Sequence, residues 1–159
     1  SYGARLHGSR VFGNAAGYLR PALDLDLVHT RAAGYTETGA GAYNLAVDDQ
    51  SQTILVATPS VEIGRRMALN GGLALSVYAN AALSLSNADE WTTVARLDGA
   101  APGAGTFRSS VPVADRLGRV SLGLALARGA GFEARIEYGG AFGSDFTSHA
   151  LGLGVTARF

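Results

Sequence analysis

The 159-residue chain has no cysteine, which removes disulfides, thiolate nucleophiles and Cys-ligated metals from consideration. It has no lysine either, so all thirteen basic residues are arginine, balanced by thirteen acids to a net charge of zero. Nothing in that balance gathers nucleic acid or another polyanion. Charged residues make up only 16% of the chain, against about 25% in an average soluble domain. Such a composition covers a water-exposed surface poorly. No apolar run reaches the roughly 18 residues of a membrane helix, and Ser1 does not open a signal peptide. Helical membrane insertion is excluded by this, but strand insertion is not, because alternating strands score weakly on hydropathy.

What the chain does have is glycine, 22 in all, and a 47% hydrophobic content arranged in alternation. In the last stretch, Thr147, His149, Leu151, Leu153, Val155, Ala157 and Phe159 share one parity, and Ser148, Ala150, Gly152, Gly154, Thr156 and Arg158 the other. Successive side chains of a strand point to opposite faces, so this is a strand with one apolar and one small or polar face. The pattern predicts further strands over Tyr2–Phe12, Tyr18–His29, Tyr35–Val47, Gln52–Arg66, Leu73–Ser86, Gly118–Arg128 and Phe132–Phe142. Pro21 argues for an edge or a bulge, and Asn70-Gly71-Gly72 for a tight hairpin. Residues 87–116 form the long interruption, a glycine- and alanine-rich segment in which Trp91–Leu97 and Thr106–Val113 extend neighbouring strands.

The expected architecture is an all-β antiparallel meander of about eight strands. Arg20, Asp24, Asp26, Glu62, Arg66, Arg119, Glu133, Arg135, Glu137 and Arg158 all fall on the face opposite the aliphatic one. In a soluble calyx the aliphatic face would turn to a shared core; in a membrane barrel it turns to lipid and the charges line the lumen. Long strands, aromatics near strand ends (Phe132, Tyr138, Phe142, Phe159) and the scarcity of charge favour the transmembrane β-barrel. The last three strands place Ser121, Gly123, Ala125, Ala127, Gly139, Ala141, Ser148, Ala150, Gly152 and Gly154 inward. These are too small to fill a closed eight-stranded barrel, whose interior side chains must plug it. A wider lumen that holds something else is expected.

No catalytic or metal constellation emerges. Ser148 and His149 are adjacent on a strand and point apart, so with Asp145 they make no hydrolase triad. His7 and His29 are too scattered for a metal site, and Gly152-x-Gly154-x-x-Ala157 lacks the helix that a dinucleotide fingerprint requires. No cofactor is implied.

Certain stretches in order resemble the C-terminal β-domain of bacterial autotransporters, the translocators of type V secretion. They are Tyr18-Leu19-Arg20-Pro21 with Leu23 and Leu25, Gly34 to Gly41, Phe107-Arg108-Ser109-Ser110 with Asp115-Arg116, Tyr138-Gly139-Gly140 with Phe142-Gly143, and His149 with Arg158-Phe159. The resemblance implies a Gram-negative outer-membrane barrel that anchors an upstream passenger and delivers it to the cell surface. As partners it implies the lipid bilayer, the barrel-assembly machinery and the chain's own passenger with its linker helix. Leu153, Val155, Ala157 and Phe159 match the family's terminal assembly signal. The family's barrel has twelve strands, so these residues, all 1–159 as one barrel domain, are expected to be its C-terminal portion. If the last strand descends to the periplasm, counting back puts the turns at 129–131, 67–72 and 31–34 on the periplasmic side and the 87–116 loop outside the cell. The alternatives are a stand-alone eight-stranded barrel with a structural or adhesive role and a soluble ligand-binding calyx.

Overall fold

The structure is a computed structural model describing residues 1–14, 16–101, 103–144 and 146–158. Asp145 and the terminal Phe159, the latter expected in the assembly signal, lie outside the described residues. The strands in order are β1 (Tyr2–Ser9), β2 (Phe12–Asn14), β3 (Gly17–Ala32), β4 (Tyr35–Thr36), β5 (Leu45–Val47), β6 (Gln50–Ala68), β7 (Leu73–Ser86), β8 (Glu90–Leu97), β9 (Phe107–Pro112), β10 (Arg116–Arg128), β11 (Phe132–Phe142) and β12 (Thr147–Ala157). They form two sheets. The large one runs β1-β3-β6-β7-β10-β11-β12, with β2 also on β3, and the small one runs β4-β5-β8-β9.

Every pairing in the large sheet is antiparallel, and its members are long: 16 residues in β3, 19 in β6, 14 in β7 and 11 each in β11 and β12. At about 3.4 Å per residue and a tilt of about 45°, an 11-residue strand rises about 26 Å, close to the roughly 25 Å apolar band of a barrel wall. The longer β3, β6 and β7 therefore continue beyond the band. β1 and β12 are the two edges of the sheet and do not pair with each other, so the wall is open between them.

Two prolines leave local marks on this wall. Across β1 and β2 the partners on β3 keep one register, Ser9 facing Ala22 and Phe12 facing Leu19. Arg10 thus faces Pro21, donating its amide to the Pro21 carbonyl at 3.2 Å but receiving none in return. Proline has no N–H, and the strand is interrupted there into β1 and β2. Pro59, in the middle of β6, faces Leu23 on one side. On the other, the β6–β7 ladder runs from Ala57 opposite Leu85 to Ser60 opposite Ala82 without the two pairs between. A side-chain bond between Thr58 Oγ1 and Ser84 Oγ, 3.0 Å, spans the gap. Both prolines are tolerated in non-edge strands because the register continues past them.

The strand expected over Tyr35–Val47 is not a wall strand. Its ends form the short β4 and β5, with a 3₁₀ turn at Gly41–Tyr43 between, and they belong to the small sheet. The glycines that blurred the alternation are the reason: Gly39 and Gly41 adopt φ of +107° and +59°, which turn the chain away from the extended path. The large sheet still counts eight strands because β2 is separate from β1. With no wall strand between β3 and β6, residues 31–34 lie at the same end of the sheet as 87–116, not at the end of 69–72 and 129–131 as counting back suggested. The 87–116 segment is also more regular than its composition implied. β8 and β9 pair with each other, Trp91 facing Val111 and Thr93 facing Ser109, and β8 joins β5 rather than prolonging the wall. Gly99 fits here because a Cβ on it would press into the backbone of Ala42.

The faces of the wall follow from register. One row reads Leu19, Ile63, Ala79, Leu122, Tyr138, Leu151; the row next to it reads Glu62, Asn80, Ser121, Gly139, Ala150 on the other side, and Ser60, Ala82, Arg119, Ala141, Ser148 continue that side. The apolar side is uncovered, with Leu151, Leu153 and Val155 exposed by 70%, 76% and 73%. The buried apolar residues among those described are only alanines, Ala46, Ala88 and Ala95, gathered in or beside the small sheet. A soluble calyx would bury its aliphatic rows. This wall presents them outward, a patch far larger than the few hundred Å² of a water-soluble surface.

Candidate functional site

The polar side is concave. One cavity of about 490 Å³ is lined from β3 to β12, by Asp24, Thr58, Asn80, Ser121, Gly139 and Ala150 among others. A second, of about 570 Å³, is lined by Arg5, Asp26, Ser84, Asp115 and Arg119. Both touch strands far apart in the sheet, which only the inner side of a curved wall can do.

The ten charged residues singled out from the sequence share this side by register, and the structure sorts them into two groups. In the first group each has a partner. Glu62 accepts from Arg20 Nη2 at 2.8 Å and from the Tyr18 hydroxyl at 2.7 Å, with its side chain only 14% exposed. Asp26 receives a two-pronged bond from Arg5, Nε to Oδ1 at 2.6 Å and Nη2 to Oδ2 at 3.0 Å. Asp24 lies 2.9 Å from His7 Nδ1. Glu137 accepts from the Tyr78 hydroxyl at 2.8 Å, across the intervening β10. In the second group Arg66, Arg119, Glu133, Arg135 and Arg158 have no ion pair within 4.0 Å among the described residues. Arg119 and Asp24 line one cavity; Glu133 and Arg158 line another near the Gly129 turn.

Arg5, His7, Tyr18 and Tyr78 are the partners that sequence reasoning missed. The first two were legible in principle. The pairing of Asn14 with Gly17 forces 5 to face 26 and 7 to face 24, which are the observed partners. The tyrosines depend on long-range register. Tyr18 faces Gly64 and Tyr78 faces Gly123, and each ring lies over that glycine so closely that a Cβ would collide with it. Glycine here is a seat for an aromatic ring rather than a turn residue. Gly154 likewise leaves room for Arg135, whose Nε would be 3.1 Å from a Cβ there.

Because Glu62 holds two donors at once, we expect Glu62→Ala to lower barrel stability by about 1.5–3 kcal/mol, the range for hydrogen bonds to a charged group. The urea midpoint of the heat-modifiable band on a gel measures this, and Glu62→Gln, which keeps one acceptor oxygen, should lose less.

The rim of the wall near residues 29 and 149 is aromatic. His149 lies edge-on to Phe142 at 5.6 Å and bonds the Tyr138 hydroxyl through Nδ1 at 2.7 Å, while Tyr2 stacks on His29 at 4.8 Å. His149 shares the face of Leu151, not that of Ser148. It is an interfacial residue in an aromatic notch, as such rims favour.

A long-stranded antiparallel wall with an uncovered aliphatic side, a polar concave side and aromatic rims defines a transmembrane β-barrel protein. The family model described as autotransporter beta-domain matches residues 1–139, and the chain belongs to that family. No curated protein matches the chain. It is an outer-membrane translocator domain of Gram-negative bacteria that delivers a linked passenger domain to the cell surface, and its family is one of transporters rather than enzymes. The matched span ends at Gly139, so β12 lies beyond it.

Proposed function

We propose that the concave face is the lumen wall along which the passenger chain is led, and that Arg20, Asp24, Asp26, Glu62, Arg66, Arg119, Glu133, Arg135, Glu137 and Arg158 line it. The observation that carries this is the run of small side chains in register across three strands, Ser121, Gly139 and Ala150, with Ala141 and Ser148 beside them. A closed eight-stranded barrel would need bulk at those positions, whereas a lodged linker helix or a moving chain needs space. The paired acids fix the wall, and Arg66, Arg119, Glu133, Arg135 and Arg158, which have no ion pair among the described residues, face the lodged segment.

In this reading the 87–116 segment, with β8 and β9, stands outside the cell together with 31–34, and the turns at 13–17, 69–72 and 129–131 face the periplasm. Short turns inside and longer loops outside match barrels of this class. Leu153, Val155 and Ala157 lie on the lipid side of the exposed edge strand β12, where the barrel-assembly machinery would meet them together with Phe159.

The orientation has a direct test, because this chain has no cysteine of its own. Ala104→Cys in the β8–β9 loop should react with a membrane-impermeant maleimide on intact cells. Ala130→Cys should react only after the outer membrane is opened. Labelling of Ala130→Cys first would invert the topology and remove the proposal.

A further inference from the structure

Five arginines lie on the aliphatic side of the wall by register: Arg10 opposite Pro21, Arg31 opposite Ser51 and 3.5 Å from Asp49 Oδ2, Arg65 opposite Val77, Arg116 opposite Leu85 and Arg128 opposite Leu73. A guanidinium facing lipid is unfavourable by about 2–4 kcal/mol at mid-bilayer and by about 0–1 near the interface, so each needs an explanation. Arg10 sits over the Phe12 ring at 5.1 Å, Arg116 lies 3.6 Å from Asp115, and Arg128 is the last residue of its strand. Arg65 is different. It lies inside the ladder, its row continues as Val77, Leu124, Ile136 and Leu153, and no carboxylate among the described residues lies within 4.0 Å of it.

Beside Arg65 the outer surface is hollow. A groove of about 320 Å³ is lined by Ile63, Arg65, Val77 and Ala79 on this side, with the strand backbone at Gly64 and Tyr78 as its floor. Its depth comes from Ala79, a small residue in a row of Ile63 and Leu122. On the other flank, the β3 register continued by one position brings Gly17 beside Arg65, and a Cβ on Gly17 would meet nothing within 4 Å. There is thus an apolar slot for a hydrocarbon chain and, next to it, a free cation with open space around it. Arg65 is three residues before the end of β6 and the 69–72 turn, within reach of the interface for a long side chain that extends toward it.

We infer that Arg65 and the Ile63–Ala79 groove bind one anionic glycerophospholipid of the periplasmic leaflet, the guanidinium holding the phosphate and the groove one acyl chain. The inference rests on the proposed orientation, in which the 69–72 turn faces the periplasm. Guanidinium pairs with phosphate in a two-pronged geometry that an ammonium cannot reproduce. A basic residue near an anionic leaflet contributes a few-fold in lipid binding, about fivefold for one arginine.

The test is native mass spectrometry of the full-length protein released from detergent with equal phosphatidylglycerol and phosphatidylcholine of matched acyl chains. The wild type should retain phosphatidylglycerol about fivefold over phosphatidylcholine. Arg65→Gln should abolish the preference, Arg65→Lys should keep part of it, and Ala79→Phe, which fills the groove, should reduce retention of both lipids. Equal retention by the wild type, or an unchanged preference in Arg65→Gln, overturns the inference, as does a stronger preference for lipid A of the outer leaflet. A heat-modifiable gel band reports that each variant is folded; if Arg65→Gln lacks it, the wild type and Arg65→Lys still decide. A failure of the orientation itself would show separately, in the cysteine labelling of Ala104→Cys and Ala130→Cys.

Discussion

Gly123→Val should strip most of the folded barrel from the outer membrane, while Gly139→Ala leaves it at the wild-type level. Both glycines are on the concave face, on the paired strands β10 and β11 and one row apart, since Gly139 faces Ser121 and Gly123 faces Glu137. Their surroundings differ. A Cβ on Gly139 meets nothing within 4 Å, whereas one on Gly123 runs into the Tyr78 ring. To accept valine the ring must lift off β10, and with it goes the 2.8 Å bond from the Tyr78 hydroxyl to Glu137 on β11. That bond ties β7 to β11 across β10 and is worth about 1.5–3 kcal/mol as a bond to a charged group. Overpacking adds about 1–3 kcal/mol. A combined loss of about 2.5–6 kcal/mol is a large part of the stability of an ordinary domain. The measurement is the heat-modifiable fraction and its urea midpoint. In a Tyr78→Ala background the clash is gone, so the further cost of Gly123→Val should fall below about 1 kcal/mol, the non-additivity expected of residues in contact. Equal costs in both backgrounds would show that the ring on glycine contributes nothing to the wall.

Ser121→Trp should leave assembly intact and reduce passenger at the cell surface by at least about tenfold. Ser121 faces Asn80 on one side and Gly139 on the other, and beyond Gly139 comes Ala150. An indole can therefore lie over Gly139 without striking the wall, in the cavity of about 490 Å³. The substitution removes free space from the lumen rather than contacts from the sheet. It separates two things that most barrel variants confound: amount of folded barrel, read by heat modifiability, and passenger exposure, read by antibody on intact cells. Normal display with normal folding would mean that the passenger does not run along this row. Ser121→Ala, which changes little volume, should behave as wild type in both readouts.

The structure also explains where strand reading succeeds and fails along this chain. The wall strands β3, β6, β7, β10, β11 and β12 were legible because a period of two is local information, and a half-exposed strand displays it residue by residue. The charged face was legible for the same reason. Tyr35–Val47 misled because its alternating second half is real, in β5, but Gly39 and Gly41 divert the chain before it. That single reassignment moved the 31–34 connection to the other end of the barrel, since in a meander each strand reverses direction. Arg65 went unremarked because Arg66 beside it satisfied the expected parity.

Composition and alternation by themselves determined that this chain makes antiparallel strands with one aliphatic and one polar face, suited to lipid on one side, and that neither cysteine chemistry nor a polyanion-binding field is available to it. Tertiary structure decided which residues meet: Tyr78 with Gly123 and Glu137, Tyr18 with Gly64 and Glu62, the two loops that build the small sheet, and the groove beside Arg65. The physical reason is that face is a property of a residue and its immediate neighbours, whereas contact depends on register between strands distant in sequence, and a register is set by all the pairs of the ladder together.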